Sequence, residues 1–367
     1  MRIDKLTLEN FRSYVRADIA FDSACNVICG ENAQGKTNLL EAIVYLSCAR
    51  SPRSRSDREL VRFDAAQSFI KGNVFSRERD FCVEIDLFTA RRRRMKVNGV
   101  TVKTASELSD VLNTVFFSPE DLHLIREGAA ARRRFMDSAL CQLRPRYAAA
   151  HAEYARAYEH KTRILRDSEE HPSLLDALPE FNEQLVRAGA AIIHYRAQFC
   201  RRLAEYAAAA HFDCSGGREQ LQLSYQTVKT VEDPFADVSQ IEAALRAHQA
   251  SHDAAERASR LCLSGPHKDD IFVTINEKEA KAFSSQGQTR TAALSMKLAE
   301  REIFKNVTGE YPVLLLDDVL SELDPRRQEF VLNRIGGGQV FITCCEDDRL
   351  ASLTGGRVFT VQNGEVF

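Results

Sequence analysis

Tryptophan is absent from this sequence of 367 residues. Three tyrosines, Tyr147, Tyr154 and Tyr158, recur at a spacing typical of the buried side of a helix. A row of exposed aromatic residues, on which single-strand binding proteins stack bases, is therefore not expected. A strongly basic body is excluded as well, because 50 Lys and Arg face 52 Asp and Glu and leave a net charge of −2. Binding to nucleic acid would have to use local basic patches.

Long apolar runs and paired cysteines are also missing. No stretch approaches the roughly 20 apolar residues that span a bilayer, and no apolar segment follows Met1–Lys5 as it would in a signal peptide. The ten cysteines include no CxxC pair, which argues against a zinc site and a disulfide framework. We therefore expect a cytoplasmic protein with reduced thiols and no membrane partner.

The pattern of apolar residues predicts an α/β fold interrupted by helices. Asn98-Gly99 between two alternating segments predicts a hairpin within an antiparallel region at 68–103. Helix-forming residues then dominate most of 119–261. We expect residues 1–118 with 262–367 to form one lobe and 119–261 to form a mainly helical arm. The predicted strands are 3–8, 17–21, 24–29, 221–226, 271–275, 313–316 and 340–343, and the predicted helices are 132–158, 173–210, 238–261 and 289–305.

One stretch matches the phosphate-binding pattern GxxxxGK(S/T) without a gap: Gly30, Glu31, Asn32, Ala33, Gln34, Gly35, Lys36 and Thr37. A predicted strand at 26–29 precedes it and a predicted helix at 38–43 follows it. The glycines let successive backbone N–H groups point at phosphate oxygens, and the helix N-terminus adds partial positive charge. Lys36 would reach the β- and γ-phosphates of ATP, and the Thr37 hydroxyl would ligate Mg²⁺.

A second element of this site follows the apolar strand 313–316. Asp317 and Asp318 come directly after it, where buried carboxylates are costly unless they serve an ion or a polarised water. Asp317 would hold Mg²⁺ through water, and Asp318 would orient or deprotonate the attacking water. The alternative is that the pair caps the short helix that begins at Val319.

A third stretch indicates the class of P-loop protein. Ser285, Gly287 and Gln288 precede a predicted helix and resemble the signature of ATP-binding-cassette (ABC) ATPases. The segment 321–324 after the acidic pair resembles their D-loop. In that class the signature of one subunit closes on the ATP of another. The Ser285 hydroxyl and the Gly287 N–H would be the donors to the γ-phosphate.

The sequence also resembles the RecF family of bacterial recombination and gap-repair ATPases, which are related to the heads of structural-maintenance-of-chromosomes (SMC) proteins. The resemblance runs nearly from end to end. It is carried by the stretches 8–14, 118–122, 132–137, 265–270 and 285–290.

The resemblance implies a fold, an activity and partners. The fold would be an ABC-type P-loop ATPase head, a mixed sheet with helices, carrying a helical insertion lobe. The activity would be weak, DNA-stimulated ATP hydrolysis with Lys36, Asp318 and Ser285 as catalytic residues. ATP would join two copies into a clamp on gapped DNA with a single-strand/duplex junction. RecO, RecR and RecA would be partners, with roles in replication restart and the SOS response and a place at the nucleoid.

Three basic clusters are candidates for contacts with DNA phosphates. They lie near Arg53, Arg91 and Arg132, and each could equally be a solvated face. Within the third cluster we expect Arg134 to be the weakest candidate, because the helix would turn it away from its neighbours. The clusters comprise Arg50, Arg53, Arg55 and Arg58, then 91–94, then 132–134.

Three other interpretations of the motifs stay open. A transporter ATPase subunit shares the P-loop and signature, but it would carry a switch histidine where 343–346 reads Thr-Cys-Cys-Glu. A nucleotide-gated scaffold that does not hydrolyse ATP is compatible with Asp318, because an aspartate is shorter than the glutamate usual there and predicts slow hydrolysis. A small-molecule kinase would lack the signature.

His267 is either a catalytic base or, as we prefer, structural.

Overall fold

The structure, a computed structural model, describes residues 1–54, 56–345 and 355–367. It divides into two compact units. The first unit contains Met1–Leu122 and Lys297–Phe367, and the second contains His123–Met296. The sequence placed 262–296 with the first lobe instead. These residues group with the second unit because a strand at 270–275 pairs with one at 221–226.

The N-terminal part of the first unit alternates short turns with strands whose buried residues recur at every second position. Asn98 and Gly99 both have positive φ, as the predicted two-residue hairpin turn requires. The elements are β1 (Arg2–Phe11), β2 (Tyr14–Ala20), β3 (Cys25–Cys29), α1 (Lys36–Cys48), β4 (Gln67–Ser76), β5 (Arg79–Phe88), β6 (Arg94–Val97), β7 (Val100–Val102), α2 (Ala105–Ser109) and β8 (Thr114–Phe117).

The second unit is mainly helical with a small sheet. The helix predicted at 132–158 is two helices, because Pro145 lacks an N–H and starts a new helix after Arg144, which is extended. The elements are α3 (Ala129–Leu143), α4 (Pro145–Asp167), α5 (Leu178–Cys214), β9 (Leu221–Gln226), α6 (Val238–Ser259), β10 (Asp270–Ile275), β11 (Lys278–Glu279), α7 (Ala280–Phe283) and α8 (Gln286–Thr308), whose C-terminal half belongs to the first unit.

The C-terminal part completes the first unit. Its elements are β12 (Val313–Leu316), α9 (Pro325–Arg334), β13 (Val340–Cys344), β14 (Arg357–Gln362) and β15 (Glu365–Val366). The sequence predicted β12 and β13 but not the hairpin of β14 and β15.

Two sheets enclose α1 in the first unit. An antiparallel sheet has the order β2-β1-β4-β5-β6-β7, and a second sheet has the order β15-β14-β3-β13-β12-β8. The strands from β14 to β8 are parallel, so their carboxyl ends share one edge. One core cluster joins residues of α1 to both sheets, including Leu6, Ile70, Ile43, Leu315 and Phe341. This packing holds the start of α1 beside the ends of β3, β12 and β13.

The helices of the second unit surround a buried network of charges. Arg196 donates to Asp137 at 3.0 Å and to Asp269 at 2.8 Å, and Tyr225 also donates to Asp269. Burial raises the pKa of Asp269 while the Arg196 charge opposes that rise. The sequence had placed Asp269 in the ATPase head, whereas its partners all belong to the second unit.

His267 has the structural role that we preferred. Its Nδ1 lies 2.7 Å from the Tyr154 hydroxyl and its Nε2 lies 3.0 Å from the Cys262 carbonyl oxygen. The neutral imidazole satisfies both contacts by accepting at Nδ1 and donating at Nε2. Burial, more than the nearby charges, lowers the pKa of His267 to about 4.

We expect this histidine to make the protein less stable in mild acid. An unfolded histidine takes up a proton near pH 6.5, but the folded one resists until about pH 4. Its contribution to the free energy of unfolding is therefore complete above pH 6.5. About 3 kcal/mol of that contribution is lost as the pH falls from 6.5 to 4. Urea unfolding at pH 7 and pH 4.5 measures this loss. The free energy of unfolding should fall less between the two pH values for His267→Gln than for the wild type. Equal losses in the two proteins would contradict this role.

Candidate functional site

The P-loop curls at the carboxyl end of β3 and leads directly into α1. Gly30 and Gly35 both have positive φ, and a side chain on Gly30 would lie 2.4 Å from the Val361 carbonyl oxygen. Lys36 is only 4% exposed. Its Nζ donates to the carbonyl oxygens of Gly30 at 2.6 Å and Glu31 at 3.1 Å. The lysine is thus held across the loop that the sequence predicts as a phosphate cradle.

The turn between β1 and β2 is hydrogen-bonded to the P-loop and to the first turns of α1. Tyr14 donates its hydroxyl proton to the Gly35 carbonyl oxygen at 2.9 Å, and the Ser13 Oγ accepts from Asn38 at 3.0 Å. Arg12 binds both carboxylate oxygens of Glu41 in α1, each at 2.8 Å. The segment 8–14, first identified by family resemblance, therefore fixes the start of α1.

The two acids predicted at the end of β12 meet the P-loop in the first unit. Thr37 Oγ1 lies 2.9 Å from Asp317 Oδ1. Thr343, at the end of β13, donates to the same Oδ1 at 3.0 Å and accepts from the Asp318 N–H at 2.8 Å. Burial raises the pKa of Asp317, with Asp318 adding to the rise and both hydroxyl donors opposing it.

Asp318 does not act as a helix cap. Its φ of 51° is left-handed, and its side chain makes no capping hydrogen bond to the 3₁₀ turn that follows. Its Oδ1 is buried with no hydrogen-bond partner in the part of the chain that the structure describes. A buried carboxylate oxygen of this kind is costly without a ligand, so the alternative of a capping pair loses its support.

The oxygen donors fit a magnesium ion. Mg²⁺ binds oxygen ligands octahedrally and usually keeps several waters. Thr37 Oγ1, the direct ligand expected from the sequence, lies 2.9 Å from Asp317 Oδ1, so the carboxylate is close enough to accept from a water on the ion. Among the described residues no group of three or more His, Cys, Asp and Glu could hold a metal alone. A nucleotide would have to supply further oxygens.

Two adjoining cavities lie on this face of the first unit. One, of about 310 Å³, is lined by the P-loop, Arg53 and Asp318. The other, of about 590 Å³, shares Asn38 with the first and is lined by Ser13 and Phe63. Phe63 is 100% exposed. The sequence reasoning missed this residue because an isolated phenylalanine in a loop carries no pattern.

The predicted signature belongs to the second unit. Ser285 is exposed at the start of α8. Its N–H donates to Gln288 Oε1 at 2.8 Å, and its Oγ accepts from the Gln288 N–H at 3.3 Å. This capping box leaves the hydroxyl proton of Ser285 able to donate elsewhere. Gly287 lies in the first turn of α8.

The segment that stands in place of a switch histidine contacts the P-loop through a thiol. Cys345 Sγ lies 3.1 Å from Asn32 Oδ1 and 3.7 Å from Lys36 Nζ. Glu346, like Arg55 of the first basic cluster, lies outside the described residues.

Arg132 was a wrong candidate for DNA binding. It is 5% exposed, and it binds Asp270 and three backbone carbonyls of 124–127. Arg134 was expected to be the weakest, yet its side chain is 73% exposed. The periodicity of α3 turns positions 132 and 135 inward and 134 outward. In the second cluster Arg93 donates to Tyr45, Ala49 and Asp57, whereas Arg91 is exposed. Arg53 of the first cluster is also exposed.

No helix within the described ranges combines the length and the hydropathy that a bilayer span needs.

The fold and the site together define an ABC/SMC-type ATPase head. The SMC head bound to the C-winged helix domain of ScpA shares the fold, with a TM-score of 0.56 at 15% identity over 100% of this chain and 96% of that one. The family model of the RecF/RecN/SMC N-terminal domain matches residues 2–365. The chain belongs to the RecF family of DNA replication and repair proteins.

Individual relatives cover the whole chain. The DNA replication and repair protein RecF of Clostridium kluyveri is 37% identical over 372 residues, which are 100% of this chain and 99% of the relative. RecF of Bacillus velezensis is 37% identical over 99% of both chains. A solved structure of the recombination mediator protein RecF-ATP in the RecFOR pathway has a TM-score of 0.90 at 33% identity, over 100% of this chain and 96% of that one. The resemblance inferred from the motifs is confirmed.

Proposed function

We propose that this protein binds ATP with Mg²⁺, dimerises around the nucleotide and thereby clamps DNA at gaps with a single-strand/duplex junction. It would hydrolyse ATP slowly to reopen. The observation that carries the proposal is that four side chains lie together at one sheet edge in the first unit. They are Lys36, Thr37, Asp317 and Asp318, whose buried Oδ1 has no hydrogen-bond partner among the described residues.

Each residue of the proposed ATP site in the first unit would have one role. Lys36 would exchange its carbonyl partners for phosphate oxygens, and the P-loop N–H groups from Gly30 to Lys36 would hold the β-phosphate. Thr37 and Asp317 would hold Mg²⁺, which would offset the negative charge of the phosphates. Asp318 would accept a proton from the attacking water.

The larger cavity would receive the purine base. It adjoins the phosphate site through Asn38, and Phe63 offers an aromatic face at its rim. Stacking of a base on an aromatic side chain contributes about 1–3 kcal/mol.

Phe63→Ala is therefore expected to weaken ATP binding about tenfold, which corresponds to roughly 1.4 kcal/mol. Titration with a fluorescent ATP analogue would measure it. Phe367→Ala is a suitable control, because Phe367 is also exposed in the first unit but does not line this cavity. Unchanged affinity for the ATP analogue in Phe63→Ala would contradict the placement of the base in this cavity.

Ser285 and Gly287 would complete the site from a second copy of the chain. The capping geometry of Ser285 leaves its hydroxyl proton available, and the N-terminus of α8 favours an anion. ATP would then lie between two subunits and hold them together, and the dimer would present a composite basic surface with Arg53 and Arg91 as candidate phosphate contacts. RecO, RecR and RecA remain proposed partners, as does association with the nucleoid.

Sedimentation velocity tests this proposal. We expect a monomer that dimerises with Mg²⁺-ATP and a DNA-bound dimer when a gapped duplex is added. Lys36→Ala should stay monomeric under all conditions. A wild-type protein that stays monomeric with ATP and does not sediment with DNA at low salt would contradict the clamp. ATP binding and dimerisation with no turnover in a single-turnover assay would instead favour the non-hydrolysing scaffold.

A further inference from the structure

Thr343 connects both acids of the site to the neighbouring strand. It lies at the carboxyl end of β13, between the P-loop strand β3 and the acid-bearing strand β12. Its residue exposure is 1%. Its hydroxyl donates to Asp317 Oδ1 at 3.0 Å and accepts from the Asp318 N–H at 2.8 Å. One side chain therefore contacts a carboxylate of one acid and the backbone of the other.

The bond to Asp317 is compatible with a bound metal. Asp317 Oδ1 accepts from Thr37 as well as Thr343. A Thr37 hydroxyl that ligates Mg²⁺ through an oxygen lone pair keeps its proton and can still donate to Asp317. Thr343 donates to the same oxygen from a strand that would carry no ligand of the ion. It would keep the carboxylate in the orientation that the ion requires.

The bond to Asp318 holds an unfavourable backbone conformation. Asp318 has a φ of 51°, in the left-handed region that residues with a side chain adopt uncommonly. The Thr343 oxygen accepts the Asp318 N–H and thereby stabilises that conformation. Because Asp318 lines the cavity of the P-loop, its backbone sets where its carboxylate lies, including the buried Oδ1 that has no partner among the described residues.

We propose that Thr343 is a positioning residue that sets the orientation of Asp317 for Mg²⁺ and of Asp318 for the attacking water. This inference rests on the proposed ATP site and adds a residue from a third strand to it. Thr343 touches neither nucleotide nor metal; it acts through the two acids.

Thr343→Val tests the inference, because valine keeps the shape and removes the hydroxyl. We expect the Mg²⁺ concentration that half-saturates binding of a fluorescent ATP analogue to rise about tenfold or more, as for other residues that orient metal ligands. Binding of the analogue in EDTA should not change. The rate of single-turnover hydrolysis at saturating Mg²⁺ should also fall. Thr343→Ser keeps the hydroxyl and should restore wild-type Mg²⁺ dependence.

A matched control is Thr114→Val. Thr114 is a buried threonine of the same sheet, on β8, with its hydroxyl 2.8 Å from Ser47 Oγ. The Thr114→Val change should lower the melting temperature without changing the Mg²⁺ dependence of ATP-analogue binding. If Thr343→Val does not fold, Thr343→Ala with the same titrations replaces it.

The outcomes separate two failures. If wild-type nucleotide binding responds to Mg²⁺ but Thr343→Val responds equally, the positioning role is wrong and the proposed function stands. If wild-type binding does not depend on Mg²⁺ at all, the proposed metal site fails and Thr343 loses its role with it. If Thr343→Ser behaves like Thr343→Val, the hydroxyl is not the group that matters.

Discussion

Asp318→Asn is expected to slow ATP hydrolysis at least about a hundredfold, the usual effect of losing a general base. Asparagine has the same shape and tolerates the left-handed backbone of this position, so the fold of the site should persist. It cannot accept a proton from the attacking water. ATP binding and ATP-dependent dimerisation should therefore remain, and the dimer should last longer because it no longer reopens by hydrolysis.

Single-turnover hydrolysis and sedimentation velocity on the same samples would measure both effects. Asp86→Asn is the control, because Asp86 pairs with Arg94 on the antiparallel sheet and should not affect turnover. Hydrolysis at the wild-type rate in Asp318→Asn would show that Asp318 is not the base. The unpartnered Asp318 Oδ1 would then need another explanation.

Ser285→Arg is expected to keep ATP binding and to abolish ATP-dependent dimerisation. The P-loop, Thr37 and Asp317 are untouched by this change, so one subunit can still hold nucleotide. The arginine would place bulk at the exposed start of α8 where the partner's γ-phosphate would lie. It would also remove the hydroxyl donor.

The comparison needs binding and assembly measured separately. A fluorescent ATP analogue reports binding, and sedimentation velocity with Mg²⁺-ATP reports the dimer. Ser285→Thr keeps both the hydroxyl and the helix cap, so it should dimerise like the wild type. A dimer of normal stability in Ser285→Arg would refute completion of the site by a second subunit.

The sequence predicted much of the site because its parts are local. The P-loop is eight consecutive residues, and the acidic pair directly follows an apolar strand. Each of these two motifs lies directly after a strand, so its position along the chain already indicates what it can bind. The parallel strands β12 and β13 were recognisable because both of their faces are buried and, apart from Thr343, their residues are apolar.

The sequence alone did not predict which arginine side chains are buried. The three arginines at 132–134 look alike in sequence, but α3 directs Arg132 to Asp270 and exposes Arg134. The hairpin of β14 and β15 was missed as well. Its turn donates the Asn363 N–H to Gln34 of the P-loop at 2.6 Å, a contact across 329 positions of the chain.

The sequence by itself therefore determined the class of the protein, the phosphate cradle and the acidic pair, because each depends on neighbours along the chain. Only the tertiary structure decided how these parts are held. Thr343 reaches Asp317 across 26 positions, and Tyr14 reaches Gly35 across 21. Such contacts follow from which strands become neighbours in a sheet and which face a helix buries. Local periodicity does not specify these choices, because the burial of the whole core selects them.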